Sequence, residues 1–545
     1  MVSRITLALL LVVPGAGLAD ETHRHGGGDP DELGVVELPN SCPPEAQQTL
    51  GQAMAMLHSF WYEEARGRFE ALAEQHPTCS IAWWGVAMSH WQPLWEPRGP
   101  NPESFQSGLA AIRQARAAGA PSERKNGYIG ALEAFYSEAD HIDHVDRVLA
   151  YERAMERLHA IDDDDVETRV LYALSLLGSA TSLPPDKSYV RQRKAGDLLE
   201  PLLRSHPDHP GVAHYLIHAF DYPALAAGAL EAARRYAAIA PDSPHAQHMP
   251  SHIFTRLGLW DESIASNRNV IEVARKHGVV GEELHGMDYL VFAHLQKGED
   301  EQVREMIGEL PAIQKDAALY FAGVYAHAVI PARYAVERRQ WAEAASLPEP
   351  RDFPGGRYSW ADAAIYFTRA LGAARTGKSE QARGDLAKLA SCRDVLKEHS
   401  EDYWALQVDA QHRAAAAWLA FAEGRHDEGL EVMRSAAALE DSADKHPVTP
   451  GQIVPAHDLL GQMLLELERP QEALAEFQRV LEAEPNRFGA LYGAARSAEL
   501  AGDADLARER YSQLVKLASD SSREEVRQAR SFLQAAENGE GTPDS

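Results

Sequence analysis

From about residue 41 onward, apolar residues recur at the three- and four-residue spacing that gives a helix one core-facing side. The runs are about 12 to 20 residues long and close on Gly, Asp or Pro. Alternating β-branched runs are nearly absent, so the pattern predicts an all-α chain. The first forty residues read differently. Residues 1–19, MVSRITLALLLVVPGAGLA, combine the cation Arg4, an apolar run from Ile5 to Val13 and a Gly17-x-Ala19 ending, the arrangement of a secretion signal with the mature chain starting at Asp20. That run is too short to cross a hydrocarbon layer of about 30 Å, and no later stretch reaches about 20 uninterrupted apolar residues. The expectation is an exported protein, periplasmic or secreted, with no transmembrane segment after signal removal. Residues 20–40 are polar and rich in Gly and Pro without any period, which predicts a flexible leader. His23 and His25 lie in it, where histidines usually do nothing specific. Residues 41–537 form the helical array and 538–545 a disordered tail.

Self-comparison reveals a repeat. In HPDHPGVAHYLIHAFDYPALAAGALEAARRYAAIAP, starting at His206, Pro207 and Pro210 recur 34 residues later as Pro241 and Pro244. Ala65, Phe69 and Pro77 mark a similar unit near the start, and Gly461, Ala473, Phe477 and Pro485 one near the end. Ala507 and Tyr511 repeat Ala473 and Phe477 after another 34 residues. Small residues where two helices cross, an aromatic in the second helix and a terminal proline resemble the tetratricopeptide repeat (TPR) over most of residues 41–537. The resemblance implies a right-handed superhelical solenoid of about 11 to 12 helix-turn-helix units. Ser522 to Asn538 would be its polar cap, and first helices would line a concave groove. Between about 93–205 and 314–400 helices can be counted but not placed in register.

The resemblance also implies that the second, fifth, ninth, twelfth and thirteenth positions of each repeat face the groove. Numbered from Pro210 and Pro244, the fifth and ninth positions are His214 and His218 in one repeat, His248 and His252 in the next. Residues four apart share a helix face with Cβ atoms about 6 Å apart, so each H-x-x-x-H is a two-toothed clamp for a metal ion. First helices packed about 8 to 10 Å apart would bring both clamps to one ion. His245 takes the second position of its repeat. With Gly298 as the turn of the following repeat, His285 and Asp288 take its second and fifth. His245, His285 and Asp288 are therefore candidates for acid/base work beside the metal, and Asp221 is a further bordering carboxylate. Four or five imidazoles with one or two carboxylates suit Cu, Zn, Ni or Fe, without selecting among them.

Other signals are weaker. Asp140, His141, Asp143 and His144 form DHIDH, read as a solvated turn in preference to a metal loop. Asp162 to Asp165 read as a helix N-terminus. His58 and His90 near Trp61, Trp83, Trp84 and Trp91, with Met54 and Met88, read as solenoid packing in preference to an apolar ligand wall or a copper site. His327 and Arg333 around Pro331, with Tyr320 and Tyr325, are candidates to close the groove from a later repeat.

Composition narrows the function further. The 545 residues carry 53 Lys and Arg against 81 Asp and Glu, a formal charge of −28, which repels phosphate backbones and excludes nucleic acid as a partner. The three cysteines, Cys42, Cys79 and Cys392, include no C-x-x-C pair; Cys42 and Cys79 are placed to pair in an oxidising compartment, with three free thiols the alternative. No phosphate loop, nucleophile elbow, H-E-x-x-H or dinucleotide fingerprint occurs. The leading expectation is an exported solenoid binding a transition metal (Cu, Zn or Fe) through His214, His218, His248 and His252. Its alternatives are a metal-dependent enzyme acting on a small substrate at the same site, and a metal-independent scaffold receiving a peptide in the groove.

Overall fold

A computed structural model describes residues 32–38, 42–95, 98–119, 123–137, 141–313, 321–350 and 358–538. The expected signal, His23 and His25, Asp140, Tyr320 and the tail beyond Asn538 lie outside them. Among the described residues there are twenty-six α-helices, three short 3-10 turns and no strand. Pro244–His248 and Pro250–Arg256 are one helix interrupted at Pro250, whose missing N–H removes a ladder bond. Counted so, the chain is twelve successive helix pairs and the terminal helix Glu524–Glu537. That helix buries Val526 and Ala529 on the last hairpin.

The repeat pattern has a packing cause. Small residues let an aromatic of the neighbouring helix lie against backbone. A Cβ on Gly493 would stand 2.4 Å from the Phe477 ring, and one on Gly85 would stand 2.4 Å from Phe69. Ala65, Ala473, Ala507 and Tyr511 are buried at the same crossings. Trp61, Trp84, Trp91, Met54 and Met88 are core side chains, as expected of solenoid packing. Asp165 accepts from the Thr168 N–H and Asp143 from the Asp146 N–H, so both acidic clusters serve as N-caps.

Two features depart from the expected open groove. Residues 32–38, placed by composition in the flexible leader, instead pack against the array. Leu33, Val36 and Leu38 are buried, and the Val35 N–H donates to the Asp208 carbonyl at 2.9 Å. The second feature is contact between distant repeats. Trp260 Nε1 donates to the Asn486 carbonyl at 2.9 Å, and the Phe488 N–H to Gln296 Oε1 at 3.0 Å. Residues 441–455, joining helices His426–Glu440 and Ala456–Glu466, cross to the His-rich repeats. There Lys445 meets Asp221, and the carbonyls of Thr449 and Gly451 accept from Tyr289 and Arg333. The groove is bridged over the histidines.

Candidate metal centre

Helix Pro210–Phe220 carries His214 and His218 one turn apart, and His209 caps its start through the Val212 N–H. His214 Nε2 lies 3.1 Å from His218 Nε2 and 3.1 Å from His245 Nε2, the latter delivered by Pro244–His248. One repeat later His248 Nε2 lies 3.0 Å from His252 Nε2, and the His285 ring from Val280–Gln296 is centred 4.0 Å from that of His248. Within each triad the ligand atoms fall within 4.8 Å of one another. The four clamp histidines thus do not meet at one point. Each pair joins the histidine that opens the next repeat, and the result is two neighbouring triads, His214/His218/His245 and His248/His252/His285.

The outer nitrogens are anchored. His214 Nδ1 donates to the His58 carbonyl at 2.6 Å, His248 Nδ1 to Asn267 Oδ1 at 3.0 Å, and His252 Nδ1 to Asp221 Oδ2 at 3.0 Å. Asn267 is itself oriented by its Nδ2 donating to the Ser263 carbonyl at 2.8 Å. Glu282 Oε1 faces His245 Nδ1 at 3.5 Å. A proton held on Nδ1 leaves the lone pair on Nε2, where the rings converge. Two nitrogens bound to one ion at about 2.0–2.1 Å stand about 3.0–3.4 Å apart, the separations found here. Backbone carbonyl, amide and carboxylate partners behind the rings are the usual outer support of metal-bound histidine.

The surroundings are largely aromatic. The Phe60 ring lies against His214, His218 and His245, held there by a left-handed backbone (φ 56°) that is costly for a bulky residue. Tyr236 stacks on His214, and Tyr289 packs on His248, His252 and His285. Burial, reinforced by neighbouring imidazoles, holds His214, His218 and His248 well below the usual histidine range. Burial also lowers His252, against the pull of Asp221. All four are neutral at pH 7 and present free lone pairs. The triads feel each other electrostatically, His218 with His252 and His245 with His248 and His252. They differ in access: all three histidines of the second triad are buried, whereas His218 of the first is partly exposed.

Several expected residues have other roles. Asp288 does not border the histidines as a base; it is buried against Arg333 Nη1 at 2.5 Å, and burial, partly offset by that guanidinium, raises its carboxyl. His245 and His285 stand as triad members, which leaves neither free for proton transfer if an ion is bound. Asp221 supports His252 and also pairs with Arg256 and Lys445. Arg333 does close onto the groove, by way of Asp288 and the Gly451 carbonyl.

A third group, His58, Glu167 and His209, also comes within ligand distance. It is already satisfied. His209 Nδ1 accepts from Val212, so its Nε2 carries the proton and donates to Glu167 Oε1 at 2.6 Å. His58 is held between Tyr215 Oη and Glu167 Oε2, each at 3.0 Å. Its role is to fix the end of helix Gln47–His58, whose last carbonyl anchors His214.

The hairpin register and small-residue crossings decide the architecture. The chain has a tetratricopeptide-repeat fold. No family model matches it, and no curated protein does. Among solved structures it is similar to the TPR domain of P58(IPK), 16% identical over 70% of this chain and 100% of that one, with a TM-score of 0.23. It is also similar to the Cut9–Hcn1 hetero-tetramer of APC/C, 11% identical over 90% of each chain, with a TM-score of 0.31. At those scores neither likeness carries an argument about this chain.

Proposed function

We propose that this protein is an exported solenoid that holds two transition-metal ions, one in each histidine triad. The observation that carries the reading is the convergence of Nε2 atoms at 3.0–3.1 Å, with the Nδ1 atoms of His214, His248 and His252 tied back. A core with no cation would have little reason to gather six imidazoles in two triads. All-imidazole donors without thiolate suit Zn, Cu or Fe. Three protein ligands leave a further coordination position at each ion. The Cys42–Cys79 disulfide supports residence in an oxidising compartment. The bridging of the groove by residues 441–455 favours a small ligand over a long peptide.

Elemental analysis of the exported protein tests this directly. Two equivalents of metal are expected, one lost in His214→Ala/His218→Ala and the other in His248→Ala/His252→Ala. Protein that folds, carries no metal and takes none up after dialysis against Zn, Cu or Fe would overturn the reading.

A further inference from the structure

Beside the first triad the structure leaves a small pocket, enclosing about 50 Å³ and partly open to solvent, that reaches His218, Asp221 and Lys445. The partly exposed ring of His218 is the point where this triad meets the pocket.

The charges in the pocket are unequal. Of the charged residues only Asp221 and Lys445 line it, with Lys445 Nζ 3.0 Å from Asp221 Oδ2, while Arg256, outside the lining, holds Asp221 Oδ1 at 2.9 Å, so the one carboxylate is shared between two cations. Lys445 is only 6% exposed. Its place on the bridging segment puts a desolvated ammonium at the mouth, where burial presses its charge down and Asp221 sustains it. Lys187, which would otherwise add to the local cations, is neutralised by Asp444 at 2.7 Å. Around this polar end most of the wall is apolar, from Leu94, Trp95, Leu177 and Pro447, with Thr181, Gln192 and Tyr222 interspersed. A ligand with a negative head and a hydrocarbon body matches both halves.

Resting on the two-ion reading above, we propose that the pocket binds a small apolar carboxylate. Its carboxylate contacts Lys445 and completes the coordination of the ion held by His214, His218 and His245. The second triad, wholly enclosed, takes no such ligand.

The test uses the full chain loaded with Co(II), whose visible spectrum reports coordination, titrated with hexanoate, acetate and hexan-1-ol. Hexanoate should shift the bands of one of the two ions at a concentration at least tenfold below acetate, and hexan-1-ol should leave them unchanged. Lys445→Met should weaken the hexanoate response tenfold or more while Co(II) content stays at two. Leu177→Trp, which fills the apolar wall without touching Asp221, should do the same, and so guards against a folding defect in the lysine variant. Hexanol acting as well as hexanoate, unchanged bands with two ions bound, or full response in both variants would overturn the proposal while leaving the metal sites standing. Failure to load Co(II), Zn, Cu or Fe would overturn both.

Discussion

Asp221 Oδ2 lies 3.0 Å from His252 Nδ1, so a carboxylate at the end of one repeat's first helix orients a ring in the triad of the next. The same side chain accepts from Arg256 and Lys445, which hold its carboxyl well below the usual range against a burial that would raise it. Asp221 therefore joins three things that are far apart in sequence: the second triad, the bridging segment and the pocket beside the first triad.

Replacing it with Asn keeps an acceptor for His252 but removes the charge. Metal affinity at the second triad should fall by about 10- to 100-fold, the usual cost of losing a supporting group behind a histidine ligand. The first triad should stay within threefold, as read by competition with a chromophoric chelator. Arg256 and Lys445 lose their carboxylate, so stability should fall by about 3–5 kcal/mol. Equal losses of affinity at both ions would contradict the assignment.

The buried imidazoles fix the direction of the pH response. Above about pH 6.5 they are neutral in both folded and unfolded chains and contribute nothing to the dependence. Below it the unfolded chain takes up protons that folded His214, His218, His248 and His252 refuse, because burial lowers all four. Each can cost up to about 1.4 kcal/mol of stability per pH unit. Glu64 and Glu440, pushed up by burial to about 7, and Asp288 and Glu337, also raised by burial, act in the opposite sense, but burial lowers His58, His90 and His446 as well, so the imidazoles still outnumber these carboxyls. Thermal melts of metal-free protein should be nearly level from pH 8 to 6.5 and fall below that, with metal released over the same interval. A melting temperature that rises on acidification from pH 6.5 to 5 would rule this out.

The parts legible from sequence are those whose determinants lie close together in the chain. Pro207/Pro241 and His214/His248 repeat because one hairpin's packing repeats, and a four-residue spacing puts two rings on one face. Which ring would be third was not legible. His245 follows His214 by 31 residues, but His285 follows His248 by 37, because the intervening second helix, Trp260–His277, has grown to eighteen residues. A fixed 34-residue register cannot show that drift. Lys445 was missed altogether: it is 224 residues from Asp221 on an aperiodic connection that reads as a linker. Asn267 gives no signal because it lies on a second helix, away from the face assigned to the groove.

The His58–Glu167–His209 group should behave as structure, not as a third metal site. Glu167 is fully buried between the two histidines, whose attraction more than reverses the upward push of burial on its carboxyl. Glu167→Gln should destabilise the fold by about 1.5–3 kcal/mol, since the two imidazole hydrogen bonds lose their anionic acceptor. Metal content should remain at two equivalents by elemental analysis. A drop to one would make Glu167 a ligand.

The disulfide tests the link between the first hairpins and the first triad. Cys42 and Cys79 are 37 residues apart and tie the entry of helix Gln47–His58 to the start of Ser80–Ser89. Closing a loop of that length removes unfolded-state entropy equivalent to about 4 kcal/mol. Cys79→Ser, or reduction of the native protein, should raise hydrogen exchange in residues 47–89 before it does so elsewhere. The consequence reaches the metal because the His58 carbonyl, at the end of that helix, holds His214 Nδ1. As the helix frays His214 gains freedom to rotate, so affinity at the first triad should drop while the second, anchored by Asn267 and Asp221, keeps its own. Chelator competition with and without dithiothreitol separates the two ions. Loss at the second triad alone would break the chain of contacts running from Cys79 through His58 to His214.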